Sequence, residues 1–121
     1  MVLADTSVWI DHLRKGQPGL AALLRDGAVA SHSFVIGELA CGNLANRTAF
    51  FAELNTLPRV LCSTHEEALQ FIDTRKLWGR GMGWVDVHLL ASALLSNCEF
   101  WTLDVRLNQV ASEVGVKIHR P

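Results

Sequence analysis

The sequence predicts an α/β fold, with a mainly parallel central sheet and helices on both faces. Three observations carry this. Short apolar runs of strand length alternate with helix-length segments along the chain. The first run, Val2-Leu3-Ala4, reaches one carboxylate, Asp5, and passes Thr6 and Ser7 into a helical stretch. One segment, Trp84 to Ser96, is strongly apolar throughout, as a buried helix is. At 121 residues the chain has the size of one domain, and 1–121 reads as a single one without linker, repeat or low-complexity stretch.

Each element has a local reason. Val2 to Asp5 is the first strand, and Thr6 to Arg14 the first helix, with Thr6 or Ser7 as its N-cap. Lys15-Gly16-Gln17-Pro18-Gly19 is a break, and Leu20 to Arg25 continues as helix with Leu20, Leu23 and Leu24 on one face. Asp26-Gly27 is a left-handed stop before a short strand, Ala28 to Ser31. Ser33 caps Phe34 to Cys41, Gly42 and Asn43 interrupt, and Arg47 to Leu57 is helical with Phe50, Phe51 and Leu54 inward.

Pro58 precedes a third strand, Arg59 to Cys62. Ser63 or Thr64, with Glu66 or Glu67, forms a capping box for a helix reaching about Trp78. Gly79-Arg80-Gly81-Met82-Gly83 is the glycine-rich loop ahead of the buried helix, which Asn97 closes. Glu99 to Leu103 is a fourth strand, Asp104 to Glu113 the last helix, Gly115 its stop, and Val116 to His119 a final strand.

Composition limits the function classes. No apolar run approaches the roughly 20 residues that span a bilayer, and the first residues lack the basic and apolar regions of a signal peptide. A cytoplasmic protein is expected. The mean hydropathy of +0.21 is high for so small a chain and points to apolar surface that covers a partner. A net charge of −1 argues against a protein that merely coats nucleic acid, but it is compatible with an acidic, metal-filled pocket. Cys41, Cys62 and Cys98 are odd in number and widely spaced, so they suggest neither a disulfide framework nor a zinc site, and read as small buried hydrophobes.

Of the 12 acids, Asp11, Asp26, Glu53, Glu66, Glu67, Asp73, Glu99 and Glu113 fall on polar helix faces, at helix ends or beside turns. Four are placed differently. Asp5 ends the first strand. Glu38 sits in an apolar helix, Phe34-Val35-Ile36-Gly37-Glu38-Leu39-Ala40, where it needs a partner or a site. Asp86 begins the most apolar helix, and Asp104 follows the fourth strand. Singly, Asp86 and Asp104 are explained by helix capping and the macrodipole, and Glu38 by a buried arginine. Together, three of the four fall where strand ends meet helix starts, the ligand-binding edge of an α/β sheet.

Like charges gathered there require cations to stay ionised. Carboxylates without nearby His or Cys select a hard ion, Mg²⁺ or Mn²⁺. Such a site suits phosphodiester hydrolysis, because a bound ion acidifies water and offsets charge on the attacked phosphate. Thr6, Ser7 and Thr102 are either further hydrogen-bonding partners of these carboxylates or capping residues alone.

Asp5-Thr6-Ser7 after a short apolar strand, helical Glu38-Leu39, Asp86-Val87-His88-Leu89-Leu90-Ala91 and Thr102-Leu103-Asp104-Val105-Arg106-Leu107 resemble the PIN domain. Their order and spacing are most similar to the VapC toxins of bacterial type II toxin–antitoxin modules. The resemblance implies an α/β/α sandwich and a Mg²⁺- or Mn²⁺-dependent endoribonuclease acting on tRNA, rRNA or mRNA. It also implies a homodimer neutralised by a VapB-type antitoxin. It carries a metal-ligand role to Asp5 and Asp86, and acidic-site roles to Glu38 and Asp104.

Other features are weighed beside these. The glycine loop lacks the Lys-Ser/Thr of a phosphate-binding loop and reads as a rim, with Arg80 a candidate for an RNA phosphate. Arg14, Lys15, Arg75, Lys76 and Arg106 read equally as solvated. His88 points about 200° away from Asp86 on an ideal helix and is expected at a packing or subunit contact. Trp9 and Trp101 are assigned to the core, and Trp78 and Trp84, which flank the loop, to an RNA or antitoxin contact. The faces of helices 34–57 and 84–96 are candidates for a dimer interface. Two rival readings are a receiver-like Mg²⁺-binding signalling domain and a catalytically inactive PIN-like RNA-binding protein. The first lacks its paired acids and strand-end lysine here, and the second is expected to have lost an acid.

Overall fold

The computed structural model describes residues 1–121. Ten elements follow in order: β1 (Val2–Ala4), α1 (Thr6–Lys15), α2 (Pro18–Arg25), β2 (Val29–Ala30), α3 (Ser33–Ala40), α4 (Arg47–Leu54), α5 (His65–Arg75), α6 (Trp84–Ser96), β3 (Glu99–Trp101) and α7 (Val105–Glu113). The three strands form a parallel sheet in the order β2-β1-β3, with Leu3 opposite Ala30 and Phe100. Helices cover both faces, giving the expected α/β/α sandwich.

β1 is central because it is apolar on both faces. Val2, Leu3 and Ala4 are all buried, with Phe100, Leu89 and Leu90 in the same core. Trp9 and Trp101 are buried as expected. A fully buried side chain of this kind contributes roughly 1.5–3 kcal/mol relative to exposure.

The predicted third and last strands are shorter than expected. Each meets the sheet through one bridge, Ser31 with Arg59 and Phe100 with Ile118. These extend the sheet on both edges through Val60 N–H to Ser31 O (2.9 Å) and His119 N–H to Phe100 O (2.9 Å).

Caps account for most boundary shifts. Asp5, not Thr6 or Ser7, caps α1 by accepting from Val8 N–H (3.3 Å). Gln17 and Pro18 start α2 earlier than predicted. His32, not Ser33, caps α3, its Nδ1 accepting from Phe34 N–H (2.9 Å). Thr64 and Glu67 form the capping box of α5, and that helix ends at Arg75, because Lys76 turns left-handed (φ 56°). α4 stops at Leu54 rather than Leu57. Gly27, Asn97 and Gly115 take the positive φ expected of stops. The cysteines divide: Cys98 is buried, whereas Cys41 and Cys62 are exposed because their segments run along the surface.

Candidate active site

Parallel pairing aligns the carboxyl ends of β1 and β3, with Ala4 opposite Trp101 and Asp5 N–H bonded to Trp101 O (2.9 Å). Asp5 and Thr102 are therefore neighbours across 97 residues of chain. Asp5 is only 5% exposed, yet both its oxygens are partnered. Ser7 Oγ donates to Oδ1 and Thr102 Oγ1 to Oδ2. Each hydroxyl also accepts a backbone N–H from the loop after β3, Leu103 to Ser7 (3.0 Å) and Asp104 to Thr102 (3.1 Å). The two hydroxyls thus clamp Asp5 to the loop that carries Asp104. Thr6 faces the other way and donates to Glu38 Oε1 (2.6 Å), joining α1 to α3.

Asp86 and Asp104 do what their local positions require. Asp86 accepts from Gly83 N–H (3.1 Å), and Asp104 Oδ1 caps α7 through Leu107 N–H (3.1 Å). The capping explanation is correct for both, but it uses one oxygen of each. Asp86 Oδ1, Asp104 Oδ2 and Glu38 Oε2 accept no hydrogen bond from the protein.

The electrostatics follow from this grouping. Burial raises the Asp5 carboxyl above its ordinary range, against the pull of its hydrogen bonds. Asp86 is raised chiefly by burial, and then by the negative charges of Asp104 and Glu38, against the pull of Gly83 N–H. Asp86, Asp104 and Glu38 thus feel one another's charge, with Glu38 and Asp104 exposed and Asp86 half-buried, so Glu38 does not suffer the loss of hydration its apolar neighbours suggested. Asp5 is tied to this group through Thr102, which bonds Asp104 N–H.

No three acid, histidine or cysteine side chains converge closely enough to enclose a cation by themselves. The donor chemistry nevertheless fits a hard cation. It is all oxygen, and three carboxylates each keep a free acceptor. The crevice charge disfavours ionisation unless a cation offsets it.

Of the remaining candidates, Arg80 is ion-paired with Glu113 of α7 (2.8 Å). Trp84 is 39% exposed and edge-on to His88, with ring centroids 4.5 Å apart. Trp78 is exposed outside any helix. His88 is buried in packing, against Phe34 and Trp84, with Nδ1 at 2.7 Å from Ser63 Oγ. Two features lay beyond sequence reasoning: the capping role of Asp5, and the contact between Arg106 and Gly81. An Asp followed by a helical stretch is a signal for the first, whereas the second has no local signal.

A parallel sheet with hydroxyl-clamped carboxylates along its carboxyl edge defines a small acidic-site α/β protein. The model of the PIN domain matches residues 2–113, and the chain belongs to that family. It is 43% identical over 119 residues to Ribonuclease VapC32 of Mycobacterium tuberculosis, in both strain CDC 1551 / Oshkosh and strain H37Rv, spanning 98% of this chain and 96% of the relative. Two crystal structures share the fold. FitAcB from Neisseria gonorrhoeae superposes with a TM-score of 0.69 at 19% identity, covering 100% of this chain and 98% of that one. PAE2754 from Pyrobaculum aerophilum gives 0.56 at 17% identity, covering 89% and 77%.

Proposed function

We propose that this protein is a metal-dependent endoribonuclease, the toxin of a type II toxin–antitoxin module. The observation that carries the reading is Asp5, buried at a strand end and held by two hydroxyls, one of which also bonds the backbone of Asp104. Near full-length identity to a ribonuclease supports the same reading. Asp5 and Asp86 would hold Mg²⁺ or Mn²⁺, with Asp104 and Glu38 completing the acidic site. An ion bound there supplies an acidified water and offsets charge on the attacked phosphate.

The chain's own residues do the positioning. Ser7 and Thr102 fix both Asp5 oxygens, so that this carboxylate does not swing. Thr6 orients Glu38, whose free oxygen would accept a proton from water. Trp84, 39% exposed on the His88 side of α6, is a contact for RNA or for a VapB-type antitoxin. The substrate is tRNA, rRNA or mRNA, and the working form is a cytoplasmic homodimer of single-domain chains. No helix is long and apolar enough to cross a membrane.

The test is cleavage of total RNA by the purified protein with Mg²⁺ or Mn²⁺, alongside Asp5→Asn. Cleavage is expected from the wild type and not from the variant, which should fold normally. A wild type that cuts no RNA with either ion, or an Asp5→Asn that cuts as well, overturns the reading. Expression without a co-expressed antitoxin should arrest growth, and sequenced RNA ends from that arrest would give the substrate.

A further inference from the structure

Building on the nuclease reading above, we propose that Arg106 holds a phosphate of the RNA strand beside the acidic residues. Arg106 makes no ion pair and no hydrogen bond to the protein. It lines an open polar cleft with Gly81, Asp104, Val105 and Gln109, so this free guanidinium shares a cleft with a proposed metal-site carboxylate. Asp104 does not neutralise it, since one of its oxygens caps α7 and the two side chains form no salt bridge.

Local energetics do not explain the residue. Arg106 is in the first turn of α7, the positive end of the helix, where a cation typically costs a few tenths of a kcal/mol or more. Arg106 is exposed and solvated, and what sets it apart from other unpaired arginines is the cleft it shares with Asp104. A guanidinium offers forked donors matched to a phosphate.

The glycine loop lies against this side chain. A Cβ on Gly81 would stand 2.2 Å from Arg106 Nη1, 3.0 Å from Cδ and 3.1 Å from Cζ. Gly81 also has φ +80°, which side chains rarely adopt. Two neighbours pin the loop: Arg80 through Glu113, and Gly83 through Asp86. The two arginines thus divide the work. Arg80 tethers the loop to α7, and Arg106 faces the cleft that the loop borders.

The experiment measures binding of a fluorescently labelled, single-stranded oligoribonucleotide of mixed sequence by anisotropy. The parent protein carries Asp5→Asn, with Mg²⁺ present, so that binding is read without cleavage. Arg106→Gln should weaken binding about tenfold and make the salt dependence shallower by about 0.7 in the log–log slope, as loss of one phosphate contact to a single strand predicts. Arg106→Lys should keep the slope and recover part of the affinity. Arg25→Gln, at the far end of α2 from the crevice, controls for bulk charge.

In the cleaving protein, Arg106→Gln should raise KM and leave Mn²⁺ affinity undiminished. The proposal is overturned if Arg106→Gln binds RNA as tightly as its parent, if Arg25→Gln weakens binding equally, or if the parent binds no RNA. A protein that binds RNA through Arg106 but cuts none would instead overturn the nuclease reading alone.

Discussion

Two buried polar networks lie on this molecule, and they differ in how they end. Around Asp5, hydroxyls from α1 and the loop after β3 converge on a carboxylate beside the loop that carries Asp104, whose own second oxygen is unpartnered. Around His32, every group is closed in. His32 Nδ1 accepts from Phe34 N–H, so its proton is on Nε2 and points to Ser92 Oγ at 3.0 Å. Ser92 Oγ also takes Ser63 N–H (3.2 Å), and Ser63 Oγ meets His88. His32 and Ser92 are 0% exposed. The first network holds a charge that the fold disfavours, and the second contains neutral groups that satisfy one another. A buried polar cluster is therefore structural when its hydrogen bonds close, and a candidate site when acceptors are left over.

Substitutions should separate the two. Asp5→Asn has the largest expected effect on cleavage, a loss of about three orders of magnitude or more, with stability down by only about 1–2 kcal/mol, because the amide oxygen keeps one hydroxyl while the NH2 cannot accept from the other. Cleavage assays and urea denaturation on one preparation check both. Equal losses in both properties would erase the distinction. His32→Ala should do the reverse, costing about 3 kcal/mol through a cavity, a lost cap and a lost hydrogen bond to Ser92. The folded fraction should cleave RNA with kcat within about twofold of wild type, since no group of this network faces the crevice.

Thr102→Val is the sharper probe of the Asp5 clamp. It keeps shape and removes the hydroxyl that both donates to Asp5 and accepts from Asp104 N–H. Cleavage should fall about tenfold, with stability down by about 1–2 kcal/mol. A variant with full activity would reduce Thr102 to a packing residue.

Acid should act on the networks in opposite directions, and this is the smallest effect. Burial lowers His32 to about 4 from an ordinary 6.5. Between those values the unfolded chain takes up a proton that the native state refuses. Stability should therefore fall as pH drops from 6.5 to about 4, by up to about 1.4 kcal/mol per pH unit for one group. Burial raises Asp5, so its ionised form is penalised in the fold, and protonation in acid relieves that penalty. Melting curves across this range should show a wild-type slope that flattens in His32→Gln and steepens in Asp5→Asn.

Much of the fold was legible from short-range chemistry. The strand-to-helix passages, the Thr64 capping box and the stops at Gly27, Asn97 and Gly115 each need only a few neighbouring residues. The candidate site was legible as four positions, because acids at helix starts after apolar strands stand out in a line of sequence. The caps at Asp5 and His32 were missed because Thr6, Ser7 and Ser33 are equally plausible capping hydroxyls. The edge strands were overestimated because apolar character does not reveal how many partners an edge finds.

The sequence by itself determined the order of elements, the four acids at their ends and the membership that their spacing suggested. Tertiary structure alone decided which strand sits between which, that Thr102 donates to Asp5 rather than only capping, and that Arg80 is paired while Arg106 is free. The physical reason is range. Propensity, capping and turn chemistry act within about one helical turn, whereas a hydrogen bond between residues 5 and 102 exists only once parallel pairing has set the register of β1 against β3.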